Sequence, residues 1–75
     1  RRILMRDKMY QTLMRKYEAE VADAKFKIDT FVERTIIIPE HIDITGEIDK
    51  LLQIITDAED KMATLRQLYG TMEAD

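Results

Sequence analysis

Apolar residues recur at every third or fourth position along two stretches of this chain, and the stretches mirror each other across its single proline. Ile3, Tyr10, Met14, Tyr17, Val21, Ala24, Ile28 and Phe31 mark the first stretch. Ile44, Ile48, Leu51, Ile55, Ala58, Met62, Leu65, Tyr69 and Met72 mark the second. That spacing gathers the apolar side chains on one side of a helix, whereas a strand would need strict alternation. Two long helices, each with an apolar seam, are therefore predicted.

If the chain turns back near Pro39, the two seams meet residue by residue. Phe31 then faces Ile48, Ile28 faces Leu51, Ala24 faces Ile55, Val21 faces Ala58, Tyr17 faces Met62, Met14 faces Leu65, and Tyr10 faces Tyr69. The predicted fold class is thus all-α: an antiparallel two-helix hairpin with a coiled-coil-like repeat. As one domain over residues 1–75 it has a first helix over about 2–34, an apolar turn over about 35–44 and a second helix over about 45–70.

Local signals agree with these boundaries. No Gly or Pro interrupts the first helix, and strong helix formers fill its surface. Pro39 cannot extend it, the β-branched run Ile36, Ile37 and Ile38 disfavours helix, and the residue before proline is biased towards extended backbone. Pro39 is expected to open a short helical turn, with Glu40 and Asp43 near its positive end, that merges into the second helix by Thr45; alternatively Asp43 or Thr45 is the N-cap, with Glu47 following in the first turn. Gly70 stands where a left-handed C-terminal cap is expected.

The positions beside the seam test the hairpin independently. With Met14 and Ile48 at heptad position a, an antiparallel pair sets g against g: Arg34 near Glu47, Glu20 near Lys61, Leu13 near Leu68 and Arg6 near Asp75. All four pairings are compatible. The opposite flank, position e, is less favourable, with Glu18 near Glu59 and Lys25 near Leu52. Exposed ion pairs contribute only about 0–1 kcal/mol each, so their value lies in choosing register and partner.

Apolar residues off the seam change the picture from a hairpin alone to a hairpin that associates. Leu4, Met9, Leu13, Phe26, Val32, Leu52, Ile54 and Leu68 add surface on several sides, and Leu52 and Ile54 widen the stripe of the second helix into a bundle-like face. Length points the same way. A chain of 75 residues is in the range where a lone core rarely yields more than about 3–5 kcal/mol. With no cysteine, neither a disulfide nor a thiolate metal site supplements it. The expectation is a homodimer forming a four-helix bundle through an isologous contact, with a domain-swapped dimer preserving the same mirrored contacts as the alternative. Leu52, Ile54 and Leu68 are the predicted interface residues on the second helix, joined by Ile36, Ile37 and Ile38 of the turn. That isoleucine cluster either caps the end of the bundle or docks another protein.

Charge adds a rival reading. The net charge of −3 conceals a basic start and an acidic second half. Arg1, Arg2, Arg6, Lys8, Arg15 and Lys16 face only Asp7 within the first sixteen residues, and so form a candidate contact for nucleic-acid phosphates. The accompanying Tyr10 and Tyr17 belong to the seam, however, which removes them as stacking partners for bases. A membrane-surface reading of Ile3, Leu4, Met5 and Met9 would require the apolar side twice, so no membrane partner is expected. With no apolar run near the roughly 20 residues of a membrane span and no apolar stretch after the basic start, a soluble, cytoplasmic protein is expected.

Catalytic signals are sparse. His41 is the sole histidine and has no second His or Cys to complete a transition-metal site. The acidic groups Glu18, Glu20, Asp23 and Asp57, Glu59, Asp60 are interleaved with lysines and read as solvated helix faces. Gly46 and Gly70 are isolated, so no phosphate loop is present. The sequence therefore predicts an assembly or protein-interaction module with no catalysis, no cofactor and no metal, and sequence-independent nucleic-acid binding is the alternative.

Overall fold

In the computed structural model of the chain, the described residues are 4–34 and 43–70, the side chain of Arg34 excepted. They form two α-helices, α1 over Met5–Arg34 and α2 over Ile44–Tyr69. At 1.5 Å of rise per residue α1 is roughly 45 Å long, and the molecule measures 57 × 18 × 17 Å. Tyr10, early in α1, meets Tyr69 at the end of α2, with ring centroids 6.5 Å apart and planes inclined at 60°. Nearer the middle, the Lys61 ammonium of α2 lies 5.3 Å from the centre of the Tyr17 ring of α1. Early residues of one helix against late residues of the other define an antiparallel hairpin.

The core follows the heptad repeat. Tyr10, Met14, Val21 and Ala24 from α1 and Leu51, Ile55, Ala58 and Met62 from α2 are buried in one cluster, with Tyr17, Ile28, Phe31, Leu65 and Tyr69 packed against it. All of these belong to the stripes read from the sequence, and Ile44 and Ile48 of the same stripe are half-buried. Ile3 and Met72 lie outside the described residues. Apart from the Tyr10 ring, every buried side chain among the described residues is aliphatic or a methionine, so the register is read chiefly from shape. Ala24 and Ala58 are as completely buried as Tyr10; because their side chains end at Cβ, the opposite helix must lie directly against them. Bulky tyrosines fill the seam towards the open end, and shifting one helix by a turn would drive large residues into those alanine layers.

The helix ends show how the chain enters each element. At the start of α1 the Leu4 carbonyl accepts from the Asp7 and Lys8 amides at 3.0 and 3.2 Å. Asp7 reaches back to accept from the Leu4 amide at 3.3 Å, the returning half of a capping box, with its charge near the positive end of the helix dipole. At α2 the choice between the two candidate caps falls on Asp43, whose Oδ1 accepts from the Gly46 amide at 3.0 Å. Thr45 serves the same carboxylate, donating its hydroxyl to Asp43 Oδ1 at 3.2 Å. A Cβ on residue 46 would collide with the Asp43 carboxylate, so glycine at this position leaves the cap room to close.

The other end of α2 departs from expectation. Gly70 has φ −63° and ψ −22°, right-handed helical values, and its amide donates to the Arg66 carbonyl. No glycine among the described residues has positive φ. Glycine permits the left-handed cap but does not impose it, and here the backbone continues in its helical sense, satisfying Arg66 directly.

Candidate functional site

Two kinds of surface were singled out by the sequence, an apolar set for association and a basic set for phosphate. The structure places them differently. Of the apolar set, Leu52, Ile54 and Leu68 are exposed on α2, at 49%, 44% and 64% of their full accessibility. Each of the first two adjoins a buried seam residue, Leu51 or Ile55. Heptad phase sets Ile54 and Leu68 at position g and Leu52 at position e, so the three divide between opposite flanks. Ile36, Ile37 and Ile38, with Pro39, His41 and most of the predicted turn, lie outside the described residues.

The g flank has a shape of its own. An open groove of about 400 Å³ lies between the helices there, lined by Leu13 and Tyr17 of α1 and Asp60, Lys61, Thr64 and Leu65 of α2. Its floor is apolar, because Leu13, Tyr17 and Leu65 turn their half-buried sides to it, while Asp60 and Lys61 supply charge on the α2 wall. Leu68 follows one helical turn after Thr64 and carries the apolar surface towards the open end.

Lys61 itself is placed unlike the sequence expectation. Position g pairs it with Glu20, yet its ammonium instead lies over the Tyr17 ring. Lys16 approaches the same ring, at 5.8 Å from its centre. A half-buried tyrosine presents the negative face of its π system, and a cation above it gains about 0.5–1 kcal/mol at an exposed site. Among the described residues the ion pairs are within helices, Lys27 with Asp23 at 2.9 Å and Lys50 with Glu47 at 3.1 Å; none joins α1 to α2. Glu20 is half-buried and has no ion pair among the described residues. The other predicted g pairs, Arg34 with Glu47 and Arg6 with Asp75, involve a side chain or residue outside those described. The pairing of Lys61 with Tyr17 is the feature that sequence reasoning missed, because only the packed hairpin brings the ring of α1 within reach of that lysine of α2.

Of the basic set, Arg1 and Arg2 lie outside the described residues, whereas Arg6, Lys8, Arg15 and Lys16 are all exposed. Lys8 and Arg15 share heptad position b, seven residues apart on the outer side of α1, while Arg6 stands on the g flank. Tyr10 is buried against Tyr69, which closes its ring to a base, whereas Tyr17 is half-buried against the core with the Lys16 and Lys61 ammoniums near its ring. The acidic groups stay spread along the helices: no three His, Cys, Asp or Glu among the described residues are grouped so that they could hold a metal ion. Nor is any helix among them long and apolar enough to cross a membrane. No known family model, curated protein or solved structure matches this chain.

Proposed function

We propose that the chain is a self-associating helical hairpin, an assembly module in which two copies bury their exposed flanks to form a four-helix bundle. The observation that carries this reading is the exposed apolar surface beside the seam of α2, where Ile54 adjoins buried Ile55 and Leu68 continues the same flank. A helix serving only one partner needs a narrow stripe; one that lies in a bundle needs the wider face. Stability argues likewise. Two helices bury only the seam between them, and a second hairpin would cover apolar surface that one hairpin leaves in water.

The test is the solution mass. Sedimentation equilibrium of the chain at micromolar concentration should return twice the monomer mass of 8.9 kDa, and a monomer there removes the proposal. A second reading, phosphate binding by α1, is favoured by one observation: Arg6, Lys8, Arg15 and Lys16 all remain exposed on the folded hairpin. Titration with duplex and single-stranded DNA and RNA at two salt concentrations decides it. Binding of this kind weakens steeply as salt rises, and no binding at low salt removes it.

A further inference from the structure

Resting on the self-association reading, we infer that the second copy docks on the g flank, with the two turns at the same end of the dimer and α1 of each chain lying over α2 of the other. The flank is the grooved side of the hairpin, with Leu13, Tyr17 and Leu65 along the groove and Ile54 and Leu68 exposed beside it. The hairpin's outline of 57 by 18 Å offers a side of roughly 1,000 Å², room for the ~800 Å² that each partner buries in a standard interface.

Charge selects the arrangement. A two-fold axis parallel to the hairpin brings each g residue of α1 over the g residue of the partner's α2 at the same level. Every g pairing that the heptad sets within one chain then recurs between chains: Glu20 faces Lys61, Leu13 faces Leu68, and Lys27 lays its aliphatic stem against Ile54. Glu20 has no ion pair within the hairpin's described residues, and Lys61 holds its ammonium over Tyr17 at the groove wall, so both are available across the interface. Reversing the second copy about the same level instead sets Glu20 against Glu20 and Lys61 against Lys61. The e flank offers no equivalent, since docking there repeats the Glu18 and Glu59 opposition.

Two single charge reversals test this when mixed. Glu20→Lys and Lys61→Glu should each weaken homodimerisation by about tenfold or more, because each sets like charges face to face at both symmetry-related sites. Mixed in equal amounts, the two variants restore opposite charges at both sites and should form a 1:1 dimer of near wild-type affinity. Glu18→Lys mixed with Lys25→Glu makes the same net-charge change on the e flank and should give no preferential pairing at physiological salt, where charges beyond about 8 Å are screened. Spin labels on single cysteines give the arrangement directly. Asp49→Cys and Gln67→Cys, studied separately, should both show a same-site distance of about 20–30 Å, because the parallel axis keeps each site level with its copy; in the dimer reversed about the Glu20 level the copies of residue 49 stand about 36 Å apart along the axis and those of residue 67 about 18 Å. A dimer whose mixed variants show no preference, or with either label far from its copy, overturns the inference and leaves self-association standing; a monomeric wild type overturns both.

Discussion

Ile54 and Ile55 are consecutive in sequence and identical in chemistry, yet Ile55 is 9% exposed and Ile54 44%. One belongs to the seam that makes the hairpin, the other to the flank proposed to join hairpins. Their contrast teaches that the fold and the proposed assembly fall on separate positions of the same helix, one residue or about 100° apart. It also means that the two properties can be broken separately.

The sharpest break is the same substitution at both positions. Ile55→Asp places an unpaired charge in an all-apolar cluster, at a cost of several kcal/mol that exceeds the ~3–5 kcal/mol available to a core of this size; circular dichroism should show the helices lost. Ile54→Asp should retain the helical spectrum and lower the mass in sedimentation. If both variants unfold, the seam and the flank are not separable.

A smaller effect grades the seam itself. Tyr10→Ala removes a fully buried ring and its edge contact with Tyr69, and should cost about 3 kcal/mol in urea unfolding, the lower end of aromatic-to-alanine losses. Tyr17→Ala, at a half-buried site, should cost less. In the middle of the seam the opposite change is the informative one: Ala58→Leu adds bulk at a fully buried position and should cost about 1–3 kcal/mol. Equal tolerance of leucine at Ala58 and at exposed Ala63 would contradict the close approach inferred for the alanine layer.

Smaller still are the ends and the surface. Asp43→Ala should lose about 1 kcal/mol with the cap. Gly46→Ala alone should be near neutral, since the better helix former pushes against the capping carboxylate. In the Asp43→Ala background it should become stabilising by a few tenths to about 1 kcal/mol. This double-mutant cycle is additive only if cap and glycine are independent. Asp23→Ala, which removes the exposed Lys27 pair, should change stability by less than about 0.5 kcal/mol and mark the floor of the scale.

The seam was legible because periodicity reports burial: every buried residue, from Tyr10 to Met62, occupies an a or d position. Ends were less so. Asp43 and Thr45 both carry an oxygen that can accept an amide, and the sequence offers no means of knowing that Asp43 takes the amide while Thr45 donates to it. Gly70 misled for a related reason, since a glycine widens the backbone's choices without making one. The flank proposed for association was half legible. Leu52, Ile54 and Leu68 were identified as exposed apolar residues, but their division between flanks and the groove between Leu13 and Leu65 required the packed hairpin. Lys61 was read by charge alone towards Glu20; the competing acceptor, an aromatic face, exists only after Tyr17 has been held half-buried by its neighbours.

The tyrosines carry a last consequence. The chain has no tryptophan, and Tyr10, Tyr17 and Tyr69 all sit in the half of the molecule remote from the turn. Its tyrosine absorption and emission therefore watch only that half, whereas the peptide signal averages both rods. Melting curves recorded at the two wavelengths should diverge if the tyrosine half opens before the rest, so the native chromophores would report local fraying without any added dye.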